Sequence, residues 1–168
     1  MYDCLIIIDR DGTLIKNQPY LGKNDNWQKK IKLIEKTLFL LKVFDVIFER
    51  NLKIVFSNQT GVALSYFSEE RVIEINNFIN KMLGEKGLNI DYWIFSPEAD
   101  IKYAIKKDIK INKYVKTISS RKPNPTLLIE KLKSLGLSLI SFKTIIVIGN
   151  SEDDKKLAEN IKGKFIEI

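Results

Sequence analysis

Three short apolar runs without alternation punctuate the chain: Cys4-Leu5-Ile6-Ile7-Ile8, Leu52-Lys53-Ile54-Val55-Phe56 and Thr144-Ile145-Ile146-Val147-Ile148. Short runs rich in β-branched residues and lacking a polar face predict strands buried on both sides, as in a parallel sheet. Tyr92-Trp93-Ile94-Phe95 predicts a fourth strand, and Lys164-Phe165-Ile166-Glu167-Ile168 an edge strand. Helical spacing fills the intervals. Over 31–50 the residues Ile31, Ile34, Leu38, Leu41 and Phe48 recur near a 3.6-residue period. Ser68, followed by Glu69 and Glu70, predicts a helix start whose run ends near residue 83. Asn124 as N-cap, Pro125 at the first helical position and Gly136 past the end bound a third helix. A fourth begins near Ser151 and stops before Gly163. Strands alternating with helices predict an α/β, Rossmann-like three-layer fold with a mainly parallel central sheet, ligands binding at the strands' carboxyl ends. No repeat or Pro/Gly-rich linker divides the 168 residues, which suits one domain over 1–168.

Composition narrows the chemistry. The chain has no histidine and one cysteine, Cys4. A Ser-His-Asp triad, a histidine base, a His-ligated metal and a Cys-rich zinc site are thereby excluded. Carboxylates, hydroxyls, amides, Lys and Arg remain. With 28 Lys and Arg against 21 Asp and Glu, the net charge is +7. That balance favours anionic ligands such as phosphorylated metabolites, nucleic acid or a membrane surface; a solvated lysine-rich surface explains it equally well. No run approaches the ~18 apolar residues of a membrane span. The start, Met1-Tyr2-Asp3-Cys4-Leu5, shows no basic leader, so the expectation is a cytoplasmic protein without a membrane partner.

Chemistry concentrates where strands end. The first strand runs into Asp9-Arg10-Asp11-Gly12-Thr13. Asp-Gly by itself reads as a turn whose acids are solvated. Two carboxylates one residue apart after a buried strand can also share a cation, with the glycine letting the backbone come close. The second strand ends in Ser57-Asn58-Gln59-Thr60-Gly61-Val62, either an ordinary loop or a set of neutral donors for a phosphate. Arg121-Lys122-Pro123-Asn124-Pro125 is a proline-marked helix start or a cation aimed at a phosphoryl group. Gly149-Asn150-Ser151-Glu152-Asp153-Asp154 is a good helix N-terminus as well as a carboxylate cluster. All four ends fall on one edge of one sheet.

In that order and spacing the four segments resemble the motifs of the haloacid dehalogenase-like (HAD) superfamily of aspartate-nucleophile phosphatases, over nearly the whole chain. Asp9-Arg10-Asp11-Gly12-Thr13-Leu14-Ile15 looks like motif one, Ser57 opens motif two, Lys122 is motif three and 149–154 is motif four. Arg10 between the acids, the Ser57-Asn58-Gln59-Thr60-Gly61-Val62 segment and Arg121-Lys122-Pro123-Asn124-Pro125 resemble the branch of D,D-heptose bisphosphate and histidinol-phosphate phosphatases. The resemblance implies catalytic Asp9, Asp11, Ser57 and Lys122. Asp9 would attack phosphorus and form an aspartyl-phosphate, and Asp11 would serve as general acid, then base. It further implies substrate contacts from Arg10, Thr13, Asn58, Gln59 and Arg121. Mg²⁺ would be held by Asp9, Asp11, Asn150 and Asp154. The implied substrate is a small phosphorylated metabolite, a heptose-type sugar phosphate first.

Departures from the pattern matter. Motif four usually reads Gly-Asp where this chain has Gly149-Asn150, so Asp153 or Asp154 is expected to supply the missing charge at the metal. The heptose phosphatases carry a Cys/His zinc loop before motif three; residues 96–120 contain neither, so no zinc is expected. Leu64-Ser65 stands where that branch has Arg-Gly. No insertion is long enough for a cap domain. The expected flap, 16–30, carries Lys16, Lys23, Lys29, Lys30, Tyr20 and Trp27, and basic residues interleaved with aromatics also suit nucleic acid. Two other functions therefore stand beside the sugar phosphatase: a nucleic-acid-end phosphatase, and a HAD-fold binding protein weakened by Asn150.

Overall fold

The computed structural model describes every residue except Lys107 and Ile109. The chain begins with β1 (Tyr2–Ile8), passes a short helix α1 (Trp27–Lys30), then α2 (Glu35–Ile47) and β2 (Asn51–Asn58). There follow α3 (Glu69–Gly84), β3 (Tyr92–Ser96) and a small unit of β4 (Ala99–Asp100), α4 (Ile101–Lys106) and β5 (Val115–Lys116). The chain closes with α5 (Thr126–Ser134), β6 (Phe142–Gly149), α6 (Glu152–Asn160) and β7 (Lys164–Glu167). Five strands form one sheet in the order β3-β2-β1-β6-β7, and every pairing is parallel.

Burial on both faces explains the unalternating strand sequences. Cys4, Ile6 and Ile8 of β1 enter one apolar cluster with Leu38 and Leu41 of α2 and Ile75 and Ile79 of α3. Leu5 and Ile7 enter the opposite cluster with Leu128 and Leu132 of α5 and Leu157 of α6. Three layers result, with β1 at the centre. Chain order runs outward from β1 on one side and resumes at β6 on the other, which makes the β1–β6 boundary the topological switch point. Register brings the ends level: Ile8 pairs with Val55 of β2 and Ile148 of β6.

Helix boundaries differ from the sequence expectation in two places. The helix expected over 31–50 covers only Glu35–Ile47. Residues 31–34 are extended instead, because the Lys16 N–H donates to the Lys32 carbonyl (2.8 Å) and the Ile34 N–H to the Leu14 carbonyl (3.0 Å). The apolar spacing of Ile31 and Ile34 thus serves a ribbon that closes the flap rather than a helix turn. The third helix starts one residue late, at Thr126, whose N–H still donates to the Asn124 side chain at 3.0 Å. Ser68 and Ser151 cap their helices as expected.

Candidate active site

The end of β1 delivers Asp9 to the switch point, where its N–H donates to the Ile148 carbonyl of β6 at 2.9 Å. Lys122 reaches the same place from the opposite side, only 4% exposed. Its Nζ donates to Asp9 Oδ1 and to Asp154 Oδ1, each at 2.6 Å. Burial pulls the Lys122 ammonium pKa down, but the attraction of two carboxylates outweighs it and the value stands raised. Asp9 shows the other side of the balance. Burial is the largest influence and raises its carboxyl to about 6; Lys122 opposes this, while Asp154 and Asp11 reinforce it. Three carboxylates here face two cations, Lys122 and Arg10.

Asp154 is held by α6. Its Oδ2 accepts from Ser151 Oγ (2.5 Å), the Ser151 N–H (3.1 Å) and the Asn150 N–H (3.3 Å), closing a capping box. A Cβ at Gly149 would lie 2.3 Å from the Asp154 Cβ, so only glycine lets this side chain turn inward to Lys122. Gly12 plays the matching part after β1: its φ is +90°, and an added Cβ would come within 2.0 Å of Asn150 Nδ2. Motif one and motif four therefore touch, with Asn150 lying against the Asp11-Gly12 turn.

Asp11 is anchored through one oxygen. Its Oδ2 accepts from Gln59 Nε2 (2.7 Å), Arg10 Nη2 (2.9 Å) and Arg10 Nε (3.1 Å). Among the described residues, Asp11 Oδ1, Ser57 Oγ and Thr13 Oγ1 are buried and have no hydrogen-bond partner. Beside Asp11 opens a cavity of about 340 Å³, lined also by Gln59, Thr60, Tyr20, Tyr103 and Arg121, among others.

Comparison with known proteins gives the same frame. No family model matches the chain. A D-glycero-beta-D-manno-heptose-1,7-bisphosphate 7-phosphatase from Pasteurella multocida is 27% identical over 159 residues, 95% of this chain and 77% of that protein. A HAD-like phosphatase from Mesorhizobium loti superposes with a TM-score of 0.77 at 21% identity, over 95% of this chain and 69% of the other. The D,D-heptose 1,7-bisphosphate phosphatase of B. bronchiseptica, solved with magnesium and phosphate, gives 0.68 at 18% over 95% and 76%. The chain has the fold of the HAD-like phosphatases and is similar in sequence to heptose-bisphosphate phosphatases.

The expected site residues are brought together, but several are turned to unexpected partners. Asn58 is spent on scaffolding: it accepts from the Lys122 N–H at 2.8 Å and donates to the Lys122 carbonyl at 3.2 Å, stapling motif two to motif three. Gln59 and Arg10 both hold Asp11. Thr13 is fully buried, its carbonyl accepting from Thr37 Oγ1 at 2.5 Å. Arg121 is half-buried on the cavity wall and donates to Thr60 Oγ1. Both oxygens of Asp154 are engaged, so the expected takeover of the metal by this acid meets a carboxylate already committed to Lys122, Ser151 and Asn150. Asp153, the other candidate, is half-exposed on the first turn of α6.

Two regions were misjudged or missed. Trp27 of the flap is 5% exposed and packs edge-on against Phe78 of α3, 5.4 Å between ring centres, so it offers no face for stacking. The flap is fastened to the core by Leu21, Trp27 and Ile31. Residues 96–120, expected to be loop, contain the β4-α4-β5 unit. Hydrogen bonds hold this segment: Ser120 N–H to Glu98 Oε2 (2.6 Å), Tyr114 Oη to Glu69 Oε1 (2.6 Å) and Asn112 Nδ2 to the Ala63 carbonyl (2.8 Å). Tyr103, which lines the cavity from α4, has no sequence signal. Asn76 does have one: a polar residue on the inward face of α3 among Val72, Ile75, Ile79 and Leu83.

Proposed function

We propose that the chain is a Mg²⁺-dependent phosphomonoester hydrolase acting through an aspartyl-phosphate on a small phosphorylated sugar of the heptose type, in the cytoplasm, as one domain. The observation carrying most weight is the buried Asp9–Lys122–Asp154 group at the switch point, with Asp11 two residues on. Lys122 engages Asp9 through Oδ1 alone. Among the described residues Asp9 Oδ2 makes no hydrogen bond, and it is the oxygen left to attack phosphorus. As the bond from Asp9 to phosphorus forms, the bond to the leaving oxygen breaks, and that oxygen takes the proton of Asp11 to depart as an alcohol. Water then attacks the phosphorus of the acyl phosphate and gives its proton to Asp11. The Asp9–phosphorus bond breaks, and phosphate leaves with the Asp9 carboxylate restored.

The unpartnered, 1% exposed Ser57 hydroxyl suits a phosphoryl oxygen, and Lys122 balances charge beside it. The donor set also fits a hard divalent ion. All available ligands are oxygens, and the cluster carries one more carboxylate than cation before any phosphate arrives. Asp9, the Asp11 main-chain carbonyl and the Asn150 amide would hold Mg²⁺; Asp154 serves instead as the anchor of Lys122. The ion would supply the positive charge that lets a phosphate dianion approach a carboxylate.

The substrate class follows the relatives' activity and a cavity bearing Arg121, Tyr20 and Tyr103, which suits a polar, anionic small molecule. Phosphate release from a panel of sugar phosphates, sugar bisphosphates and phosphorylated oligonucleotide ends, with Mg²⁺, tests it. A sugar bisphosphate is expected to be turned over best, and EDTA to stop turnover reversibly without loss of circular dichroism. Preference for oligonucleotide ends would overturn the substrate class; unfolding on chelation would point to a structural metal.

A further inference from the structure

A second buried polar chain runs alongside the Asp9–Lys122–Asp154 group. It starts at Asn76, 4% exposed on the inward face of α3, whose Oδ1 accepts from Arg10 Nη1 at 2.9 Å. Arg10 is 1% exposed, and its Nε and Nη2 both donate to Asp11 Oδ2, at 3.1 and 2.9 Å. Gln59 Nε2 approaches the same oxygen from motif two at 2.7 Å. Asp11 Oδ1, also buried, has no partner among the described residues.

The asymmetry has a chemical meaning. An oxygen accepting three donors, two of them from a guanidinium, has its lone pairs and charge committed; the other oxygen is the more basic one. A carboxyl free to rotate would expose either oxygen to the reacting atoms. The fork of Arg10 removes that freedom, because guanidinium geometry is planar and fixed. Asn76 in turn fixes the plane of the fork. Its carbonyl oxygen occupies Nη1, which leaves Nε and Nη2 facing Asp11.

We propose that Asn76, acting through Arg10 and together with Gln59, is a positioning residue that makes Oδ1 of Asp11 the oxygen that gives and takes the proton. This rests on the acid–base role of Asp11 in the function above. A merely structural part for Asn76, satisfying a buried arginine, would leave the leaving-group dependence of the reaction untouched. A positioning part would not. Departure of a sugar hydroxyl needs the acid, whereas departure of nitrophenolate does not; hydrolysis of the acyl phosphate needs the base in both cases.

The test uses the full chain with Mg²⁺, comparing wild type with Asn76→Leu, Asn76→Asp and, as control, Asn80→Leu, which removes the acceptor of Trp93 Nε1 one turn further along α3. For the sugar phosphate turned over best, Asn76→Leu is expected to lower kcat about 10- to 100-fold, within the range of general acid–base contributions, with KM nearly unchanged. With 4-nitrophenyl phosphate the first turnover stays near the wild-type rate and is followed by a slow steady state, a burst of one equivalent of nitrophenolate. Asn76→Asp keeps the acceptor oxygen and is expected to restore most of kcat; Asn80→Leu changes neither substrate. Equal losses in the first turnover of both substrates, or an unchanged kcat, would overturn the proposal. If Asn76→Leu does not fold, Arg10→Lys, which keeps the charge and loses the fork, is held to the same outcomes. If wild type hydrolyses neither substrate, the acid–base reading itself falls. The clamp is then judged by crystal structures of wild type and Asn76→Leu: rotation of Asp11 away from Arg10 in the variant supports it, and an unmoved Asp11 refutes it.

Discussion

The floor of the site and its rim are built on opposite terms. The floor consists of Asp9, Lys122, Asp154 and Arg10, all under 9% exposed, set just past β1, ahead of α5 and on the first turn of α6, and locked by paired charges. The rim consists of Tyr20, Thr60, Tyr103 and Arg121, carried by the flap, a turn, the α4 segment and the approach to α5. Tyr20 is 40% exposed, in a left-handed conformation with φ of 50°, and meets Tyr66 edge-on at 4.8 Å between ring centres. Floor residues belong to the four motifs, whereas Tyr20 and Tyr103 belong to none. On the proposed function, the floor carries the chemistry, and selection among substrates falls to rim segments that lie outside the sheet.

The comparison breaks first at Asp9. Asp9→Asn is expected to lower turnover at least about a thousandfold, as loss of a nucleophile does, while the fold persists. Stability should move the other way. The Asp9 carboxyl is raised from 3.8 to about 6, so the folded state holds a proton that the unfolded state has released over that window. Stability from this group is therefore full below pH 3.8 and lost as pH rises through about 6. Thermal melts without divalent ions should show Asp9→Asn gaining stability over wild type at pH 7, with the gain fading by pH 4. A gain that persists at low pH would mean burial of Asp9 is not its source.

Lys122 tests the floor as a unit. Lys122→Met leaves two buried carboxylates without their cation, a change that typically costs about 3–5 kcal/mol. Chemical denaturation should show that loss at pH 7 and a smaller one at pH 4, where the raised Asp9 carboxyl takes up a proton. A variant as stable as wild type would show that the ion pairs are not what holds the floor.

How far these regions are legible in the sequence follows from the same division. β1, β2 and β6 could be read as strands, each one or two residues too short at an end, because burial on two faces leaves no polar alternation to confuse with anything else. Asp9, Arg10 and Asp154 were legible as types just after strands; Lys122, read as a fourth strand end, follows no strand of the main sheet and is brought in by the stretch ahead of α5. Their partners were not: nothing in Asp-Arg-Asp says that the arginine turns to the second acid and to a helix 66 positions away. Ile31 and Ile34 misled because a ribbon and a helix can share an apolar spacing over four residues. The α4 segment stayed hidden because Ile101 to Lys106 is too short to establish a period. Asp154 could be seen as an acid in a helix's first turn, yet its commitment to Lys122 depends on Gly149 and on β6 ending level with β1, which are facts of register.

The rim should respond in binding rather than in chemistry. Arg121→Ala removes a half-buried cation from the cavity wall, together with its bond to Thr60. Hydrogen bonds to charged groups contribute about 1.5–3 kcal/mol, so KM for a bisphosphate should rise roughly 10- to 100-fold with kcat little changed. A fall in kcat at constant KM would place Arg121 with the floor and dissolve the distinction.

The smallest effect is expected at Asn150, where floor and solvent meet. Asn150 is exposed and lies against Gly12, while Asp154 has both oxygens engaged by Lys122, Ser151 and its own turn. Motif four can then offer the ion only a neutral amide from this position. Asn150→Asp adds one charge about where Mg²⁺ is proposed to sit; the exposed carboxylate gives up hydration to reach the ion, which offsets most of the attraction and leaves a modest gain in affinity. The half-saturating Mg²⁺ concentration for turnover should fall accordingly, with kcat at saturating metal unchanged. Asp154→Asn should act differently, freeing Lys122 from one partner and lowering stability rather than metal affinity. The reverse pattern, weaker Mg²⁺ binding in Asp154→Asn and none gained in Asn150→Asp, would return the metal to the buried acid. It would also require Asp154 to leave the capping box of α6 when the ion binds, and the Ser151 N–H, protected by that bond, would then exchange faster with Mg²⁺ present than without it.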